Sequence, residues 1–490
     1  MLPASPQFAA AKAIVNELRR QGYSACLAGG CVRDLLLGRE PKDYDIATSA
    51  TPEIVLDLFP RTFAVGAHFG VVLVSMEIDG EPTLTEVATF RSDGAYSDGR
   101  RPDAVRYTAS AEEDVQRRDF TINGLLLDPD KLDPTKGTGF SPYIPPTKET
   151  GALAPENLRS AVIDHVGGLA DLDAGVIRAI GQPELRFEED RLRMLRAVRF
   201  ASRFGFAIDS ATLSAIRSLA HKIETVSRER VRDELTRMLT QGRARLAFEL
   251  LDSSGLLAQV LSEVAKLKGV EQPPQFHPEG DVWTHTLLLL QQLEAGCPMT
   301  LAWGALLHDI GKPATFQPPT GPGDRIRFNG HVEVGVAIGR EICNRLRFSN
   351  EETAQILALI ENHMRFADTP RMKASTLKRF FRLDRFEEHL ALHKMDCRAS
   401  SLDMTGHLEN YYFAKERYEA MPEEEVRPEP LLTGRELIAA GYQPGAAFKA
   451  MLHAVEEAQL EGSIHTPEEA MALIRGQFPL SESEMRAPNA

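Results

Sequence analysis

Long apolar runs are missing from this 490-residue sequence: no stretch approaches the roughly 18 to 20 consecutive apolar residues that a membrane-spanning helix requires. Its start, MLPASPQFAAAKAIVNELRR, also lacks the basic-then-apolar pattern of a secretory signal. Cysteine is scarce. Cys26, Cys31, Cys297, Cys343 and Cys397 are scattered, odd in number and without CxxC spacing. That argues against a disulfide framework or a structural zinc site and for free thiols in a reducing compartment. These absences together lead to the expectation of a cytoplasmic protein. Positive charge is short too, with 56 Lys and Arg against 70 Asp and Glu and a net charge of −14. A polyanion would not be drawn by the whole-molecule field, so a nucleic-acid partner must be held by local basic patches.

What is present is ordinary globular composition, 43% hydrophobic and 26% charged, over a length that suits two to four domains. Residues 8–21 have helical spacing, 24–29 read as a short strand, 31–37 as a helix and 43–48 as a second strand. Thr51 and Pro52 open a further helix as N-cap and first helical residue. β-rich runs follow at 70–78 and 83–90, so the first 128 residues read as mixed α/β. Residues 129–160, rich in Pro, Gly, Thr and Lys, read as a long loop or disordered insertion. From 184 onward the pattern is helical, interrupted by a Pro/Gly-rich stretch at 317–324 and an acidic linker at 421–430, with a last helical unit over 433–476.

The strongest local signal is LAGGCVRDLLLG (27–38) followed by KDYDIATSATPE (42–53). Asp43 and Asp45 stand two apart on the expected strand, so they share a face. Two carboxylates beside a Gly-Gly turn and a helix start suit a Mg²⁺–triphosphate site, with Arg33 adding a charge-assisted contact. DYD alone fits a polar strand end equally, and Glu86 alone reads as a solvated strand residue. Two further runs add weight. RRDFTIN spans 117–123, and RFEEDRLRMLRAVRFASRFGF spans 186–206 with Arg193, Arg196 and Arg199 as a drifting basic stripe on one helix.

Taken in order, GGCVRD, DYD, EVATFRSDG, RRDFTIN, IDHVGG, EEDRLRMLRAVRF and RERVRDEL resemble the motif set of the bacterial class II tRNA nucleotidyltransferase/poly(A) polymerase family across residues 22–240. The resemblance implies an α/β nucleotidyltransferase head, a mixed sheet with helices, followed by an all-α body. It implies metal ligands at Asp43 and Asp45, with Glu86 as a third catalytic carboxylate. Gly30 and Arg33 would contact the triphosphate, Arg118 and Asp119 the ribose and phosphates, and Asp190 and Arg193 the base, with Arg196 and Arg199 in support. The implied partners are the tRNA 3′ end, CTP and ATP, and the implied ion is Mg²⁺.

A second constellation occupies residues 277–400: His285, the adjacent His308 and Asp309 ending an apolar helix, His331, His363 and Asp396. Separate helices supplying such side chains are what a metal site in a helical bundle requires, and Asp309 could bridge two ions. The run resembles the HD phosphohydrolase superfamily, which implies an all-α HD domain. By that resemblance His285, His308, Asp309 and Asp396 would hold a first divalent transition metal, and His331 and His363 would complete a second. The expected domains are a head over 1–183, a helical nucleotide- and tRNA-binding domain over 184–270, the HD domain over 271–420 and a C-terminal RNA-gripping unit over 431–480.

Addition of CCA to tRNA is the leading expectation, with phosphatase or phosphodiesterase chemistry at the HD site. Poly(A) polymerase activity, partial addition of CC or A, or an HD hydrolase that merely binds RNA remain alternatives. The acidic end, PLSESEMRAPNA, argues against a basic tail for arbitrary RNA, and RSDGAYSDGRRP (91–102) resembles the flexible loop of complete CCA adders.

Overall fold

The computed structural model describes residues 5–64, 70–93, 105–132, 156–401 and 407–479. Most of the insertion (133–155), most of the loop-like segment (94–102) and nearly all of the acidic end (480–490) lie outside the described residues. The chain divides into two compact units, Met1–Ser262 and Glu263–Ala490.

The first unit is built on a seven-stranded mixed sheet. Its strands are β1 (Ala25–Ala28), β2 (Ile46–Thr48), β3 (Thr62–Phe63), β4 (Val71–Ile78), β5 (Glu81–Thr89), β6 (Leu126–Leu127) and β7 (Val162–Ile163), in the order β3-β4-β5-β2-β1-β6-β7. The β2–β5 pair is parallel and the others are antiparallel. Helix α1 (Pro6–Arg20) buries Ile14, Val15 and Leu18, the apolar stripe that its 3.6-residue spacing dictates. Helix α2 (Gly30–Leu36) starts directly after β1, with Gly29 at its N-cap in a left-handed conformation (φ 74°) that only glycine adopts without strain. A Cβ there would also come within 3.0 Å of the Arg118 guanidinium, which would have to shift slightly to admit it.

Three expectations need correction. β2 begins at Ile46, so Asp43 and Asp45 lie on the approach to the strand; Tyr44 between them is buried and keeps the alternation. The expected single helix across 186–206 is two: α3 (Pro183–Glu189) and α4 (Leu192–Phe204), broken at Asp190, whose backbone is extended (φ −143°). The Asp190 carboxylate accepts from the Leu192 amide at 3.1 Å, which holds the kink, since a short acidic side chain competes with helical hydrogen bonding. Finally, the acidic linker at 421–430 contains a helical turn, Glu423–Val426, whose Val426 is buried. The first unit closes with α5 (Arg228–Thr240) and α6 (Ala244–Ser253), both against α4.

The second unit is helical. Its metal-type residues come from α7 (Val282–Gln291), α8 (Met299–Leu307), α9 (His331–Arg345), α10 (Asn350–Asn362) and α11 (Phe386–Ala399). A separate small core of Leu432, Leu437, Tyr442, Met451, Val455, Ile464 and Ile474 joins the last three helices. No helix among the described residues is long and apolar enough to cross a membrane.

Candidate active site and candidate metal centre

In the first unit a cavity of about 530 Å³ is lined by Gly29, Gly30, Arg33, Asp45, Arg118, Asp119, Asp190, Arg193, Arg196 and Arg199, together with Arg117, Asn123, Phe200 and Arg230. The volume lies within the usual range for small-molecule sites. Of the expected site residues, Asp43 and Glu86 are not among those lining it.

Asp45 has its carboxyl pushed up to about 6, first by burial and then by the neighbouring charges of Glu86 and Asp43. Glu86, on β5 beside β2, is raised by desolvation and by Asp43. Their mutual repulsion is a cost that a hard divalent ion would relieve, although these three carboxylates are not among the described sets whose ligand atoms all lie within 4.8 Å of one another.

The positive charges lining the cavity are ordered by pairing. Asp119 is buried, yet its pKa falls to about 2: burial opposes that fall, and Arg196 and Asn123 outweigh it. Arg196 donates to Asp119 Oδ2 from Nε (2.8 Å) and Nη2 (2.6 Å). Arg193 donates to Glu189 at 2.7 Å and to the Arg117 carbonyl at 2.9 Å. Asp190 accepts from Arg230 at 2.8 Å and 3.2 Å. Arg199 is buried and donates to Glu234 at 2.6 Å. Arg33 is only 4% exposed, donates to Asn123 Oδ1 at 2.5 Å, and packs over the stacked rings of Phe200 and Phe204. It supports the cavity wall and is less free for a triphosphate than its sequence position implied. Arg230 and Glu234 were carried within the motif RERVRDEL but given no role; their pairing with residues of a different helix has no local sequence signal.

In the second unit His285, His308 and Asp396 present ligand atoms that all lie within 4.8 Å of one another, and so do Asp309, His331 and His363. Asp309 joins the two groups. Its Oδ2 is 3.2 Å from His308 Nε2 and 3.9 Å from His285 Nε2, and its Oδ1 is 3.8 Å from His331 Nε2 and 3.7 Å from His363 Nε2. His285 Nε2 is 3.1 Å from Asp396 Oδ1.

Each ring is aimed through its other nitrogen. The Nδ1 atoms of His308, His331 and His363 donate to the carbonyls of Ala305 (3.0 Å), Phe328 (2.9 Å) and Ile360 (2.7 Å). A carbonyl can only accept, so Nδ1 carries the proton and Nε2 is left as an electron-pair donor facing the centre. The Nε2 atoms of His331 and His363 are buried with no hydrogen-bond partner, the state a metal ligand leaves when no ion is present. Burial also pushes His363 down to about 4, which keeps it neutral. For His285 burial acts against charge, but hydrogen bonds with Asp396 and Glu279 raise it to about 9.

Four residues of this centre escaped the sequence reading. Glu279 accepts from His285 Nδ1 at 2.7 Å and from His277 at 2.9 Å. Lys312 lies 2.7 Å from Asp309 Oδ2 and donates to Gln272 at 2.7 Å.

The turn after His308-Asp309 reaches α9 closely because Gly311 has no side chain: a Cβ there would fall 2.0 Å from the His331 carbonyl oxygen. Overpacking of this kind costs about 1–3 kcal/mol. Gly311→Ala is therefore expected to lower Tm by roughly 3–10 °C, checked by calorimetry; an unchanged Tm would show that α9 shifts freely.

Family comparison agrees with the geometry. Residues 25–139 match the poly A polymerase head domain, 205–268 the probable RNA and SrmB-binding site of polymerase A, and 282–399 the HD domain. The chain thus carries a segment of poly A polymerase head type, a segment similar to the probable RNA-binding site of polymerase A, and an HD domain.

More particularly, its curated relatives are CCA-adding enzymes. That of Geobacillus kaustophilus is 40% identical over 263 residues, covering 54% of this chain and 57% of the relative. That of Lactobacillus johnsonii is 37% identical over 288 residues, covering 58% and 64%. The match thus spans about three fifths of the length of these relatives. Among solved structures, a Bacillus stearothermophilus CCA-adding enzyme in complex with CTP is similar at TM-score 0.67 and 27% identity, covering 96% of this chain and 99% of that one. A Thermotoga maritima CCA-adding enzyme complexed with tRNA shares the fold at TM-score 0.54 and 16% identity.

Proposed function

We propose that this protein adds C and A, from CTP and ATP, to the 3′ end of tRNA without a nucleic-acid template. The observation that carries the reading is that Asp45, Asp190 and Arg193 line one and the same cavity. That shared lining supports reading Asp45 as a reaction carboxylate and Asp190 with Arg193 as a base-reading pair around one nucleotide-sized space. In this reading Asp43, Asp45 and Glu86 hold Mg²⁺, which when bound favours the 3′-hydroxyl as nucleophile and offsets charge on the leaving pyrophosphate. Gly30 and the backbone beside Gly29 cradle phosphate oxygens, Arg118 orients the ribose and phosphates, and Asp119 fixes Arg196 as a positioning contact. Arg199, locked to Glu234, stiffens the helix beneath. The domain limits 1–183, 184–270, 271–420 and 431–480 assign these tasks to head, body, HD domain and C-terminal RNA grip, and a cytoplasmic location fits a tRNA substrate.

The test is incubation with tRNA lacking its 3′ end and each labelled nucleotide in turn. C followed by a single A supports the reading. Repeated A alone identifies a poly(A) polymerase, addition that stops at CC or at a lone A a partial enzyme, and no incorporation an HD hydrolase that binds RNA.

For the second unit the same reading assigns phosphatase or phosphodiesterase activity. His285, His308, Asp309 and Asp396 would hold one divalent transition metal, and Asp309, His331 and His363 a second; such ions supply an activated water and a Lewis acid for phosphate. His308→Ala is expected to lower bound metal, measured by elemental analysis, and to remove phosphoester hydrolysis while nucleotide addition persists. Full hydrolysis by the metal-depleted variant would overturn the assignment.

A further inference from the structure

Helix α4 does not stop being basic where the nucleotide cavity ends. One turn beyond Phe200 stand Arg203 and Phe204, neither of which lines the cavity. The guanidinium of Arg203 lies 5.2 Å from the Phe204 ring centroid, and that of Arg39 lies 5.2 Å from the same centroid. The helix ends at Gly205 in a left-handed conformation, and Arg243 covers it so closely that a Cβ on Gly205 would fall 1.7 Å from Arg243 Nη1. Arg243 itself holds a left-handed backbone (φ 58°), a conformation a non-glycine residue keeps only where the surroundings enforce it.

These three arginines come from separate parts of the first unit, yet the nearby acid is largely spent. Asp34 is engaged by Arg33 at 2.7 Å and reaches Arg203 only at 3.7 Å. Arg39 and Arg243 are exposed and have no ion-pair partner among the described residues. Partial desolvation of this exposed side chain, and next the adjacent Arg203 charge, lower the Arg39 guanidinium pKa; the Asp34 charge opposes the fall and Arg243 adds to it. Like charges gathered in a chain of net charge −14 repel one another unless an anion lies between them.

We propose that Arg39, Arg203 and Arg243 form a phosphate-binding cluster, outside the nucleotide cavity, that grips the sugar–phosphate backbone of the RNA strand being extended. The inference rests on the RNA-extending reading above. The incoming triphosphate is the other possible source of phosphate. RNA is favoured because Arg33 and Phe200 wall the cavity and pack against Phe204 on the cluster's side. Backbone contacts of this kind position the strand and carry no sequence information.

The experiment compares the full chain with R39Q/R243Q and with the charge-keeping R39K/R243K, measuring the KM for tRNA, the KM for CTP, the salt dependence of tRNA binding and Tm. The wild type must first extend tRNA; if it does not, the functional reading fails and the cluster is tested by tRNA binding alone. The expected result for R39Q/R243Q is a tRNA KM raised about tenfold or more, an unchanged CTP KM, and a salt slope reduced by about 1 to 2. R39K/R243K is expected to keep most of the slope. An unchanged tRNA affinity and slope would overturn the proposal. So would a rise confined to the CTP KM, which would give the cluster to the triphosphate. Equal loss of Tm and of tRNA affinity in both variants would make the arginines structural caps of α4 and overturn it as well.

Discussion

Asp45→Asn is expected to stop nucleotide addition, by about a thousandfold or more, and yet to raise the Tm of the metal-free protein. The first effect follows from losing a carboxylate of the proposed Mg²⁺ set, a change of several kcal/mol in transition-state charge stabilisation. The second follows from the carboxyl's pKa, which folding raises from an ordinary 3.8 to about 6 through burial and the charges of Glu86 and Asp43. A carboxyl raised on folding favours the fold while protonated. That contribution is complete below pH ~4 and is lost as the pH rises through about 6. At neutral pH, with no cation, the charged Asp45 therefore works against the fold, and the neutral amide removes the repulsion. After allowance for solvent screening the gain is about 1–2 kcal/mol, or roughly 2–8 °C. Thermal unfolding with a chelator at pH 7 and at pH 4 checks it, since the gain should vanish at the lower pH. Asp43→Ala is expected to abolish addition in the same way. Near-normal incorporation by the Asp45 variant would remove it from the metal set, and a lower Tm would remove the repulsion argument.

How much of this was legible beforehand depended on whether a feature is local. The glycine turn into α2, the alternation around Tyr44 and the basic stripe of α4 are set by neighbours in sequence, and the structure places them close to where the periodicity did. The break at Asp190 was not legible, because the stripe of Arg193, Arg196 and Arg199 begins only beyond it and a side-chain-to-backbone hydrogen bond diverts the chain there. Arg230 and Glu234 became site residues only through pairing across helices, with Asp190 and Arg199 respectively. In the HD centre the histidines proposed as ligands announced themselves by residue type. Glu279 and Lys312, which orient and neutralise that centre, look like surface charges in the sequence. Long-range pairing decides such roles, and single-sequence periodicity carries no information about it.

Removing the proposed base-reading pair is expected to change selectivity more than chemistry. Asp190 is steadied by two hydrogen bonds from Arg230, and Arg193 by Glu189 and the Arg117 carbonyl. These contacts hold a carboxylate acceptor and a guanidinium donor at the rim of one cavity, matching the exocyclic amine and ring acceptor shared by C and A. U lacks that amine and G carries its own at a different position. A bidentate base contact is worth about 1–3 kcal/mol of discrimination, or roughly 5- to 150-fold. Asp190→Ala is therefore expected to raise UTP and GTP incorporation relative to CTP and ATP within that range. Arg193→Ala is expected to weaken CTP and ATP use and leave a less selective residual activity. Arg230→Gln, which frees Asp190 without removing it, should relax selectivity less than Asp190→Ala does. If the stripe only neutralises phosphates, all four nucleotides should lose equally. Measuring kcat/KM for each nucleotide in the three variants decides the matter: a uniform drop with unchanged ratios would mean that Asp190 and Arg193 do not read the base.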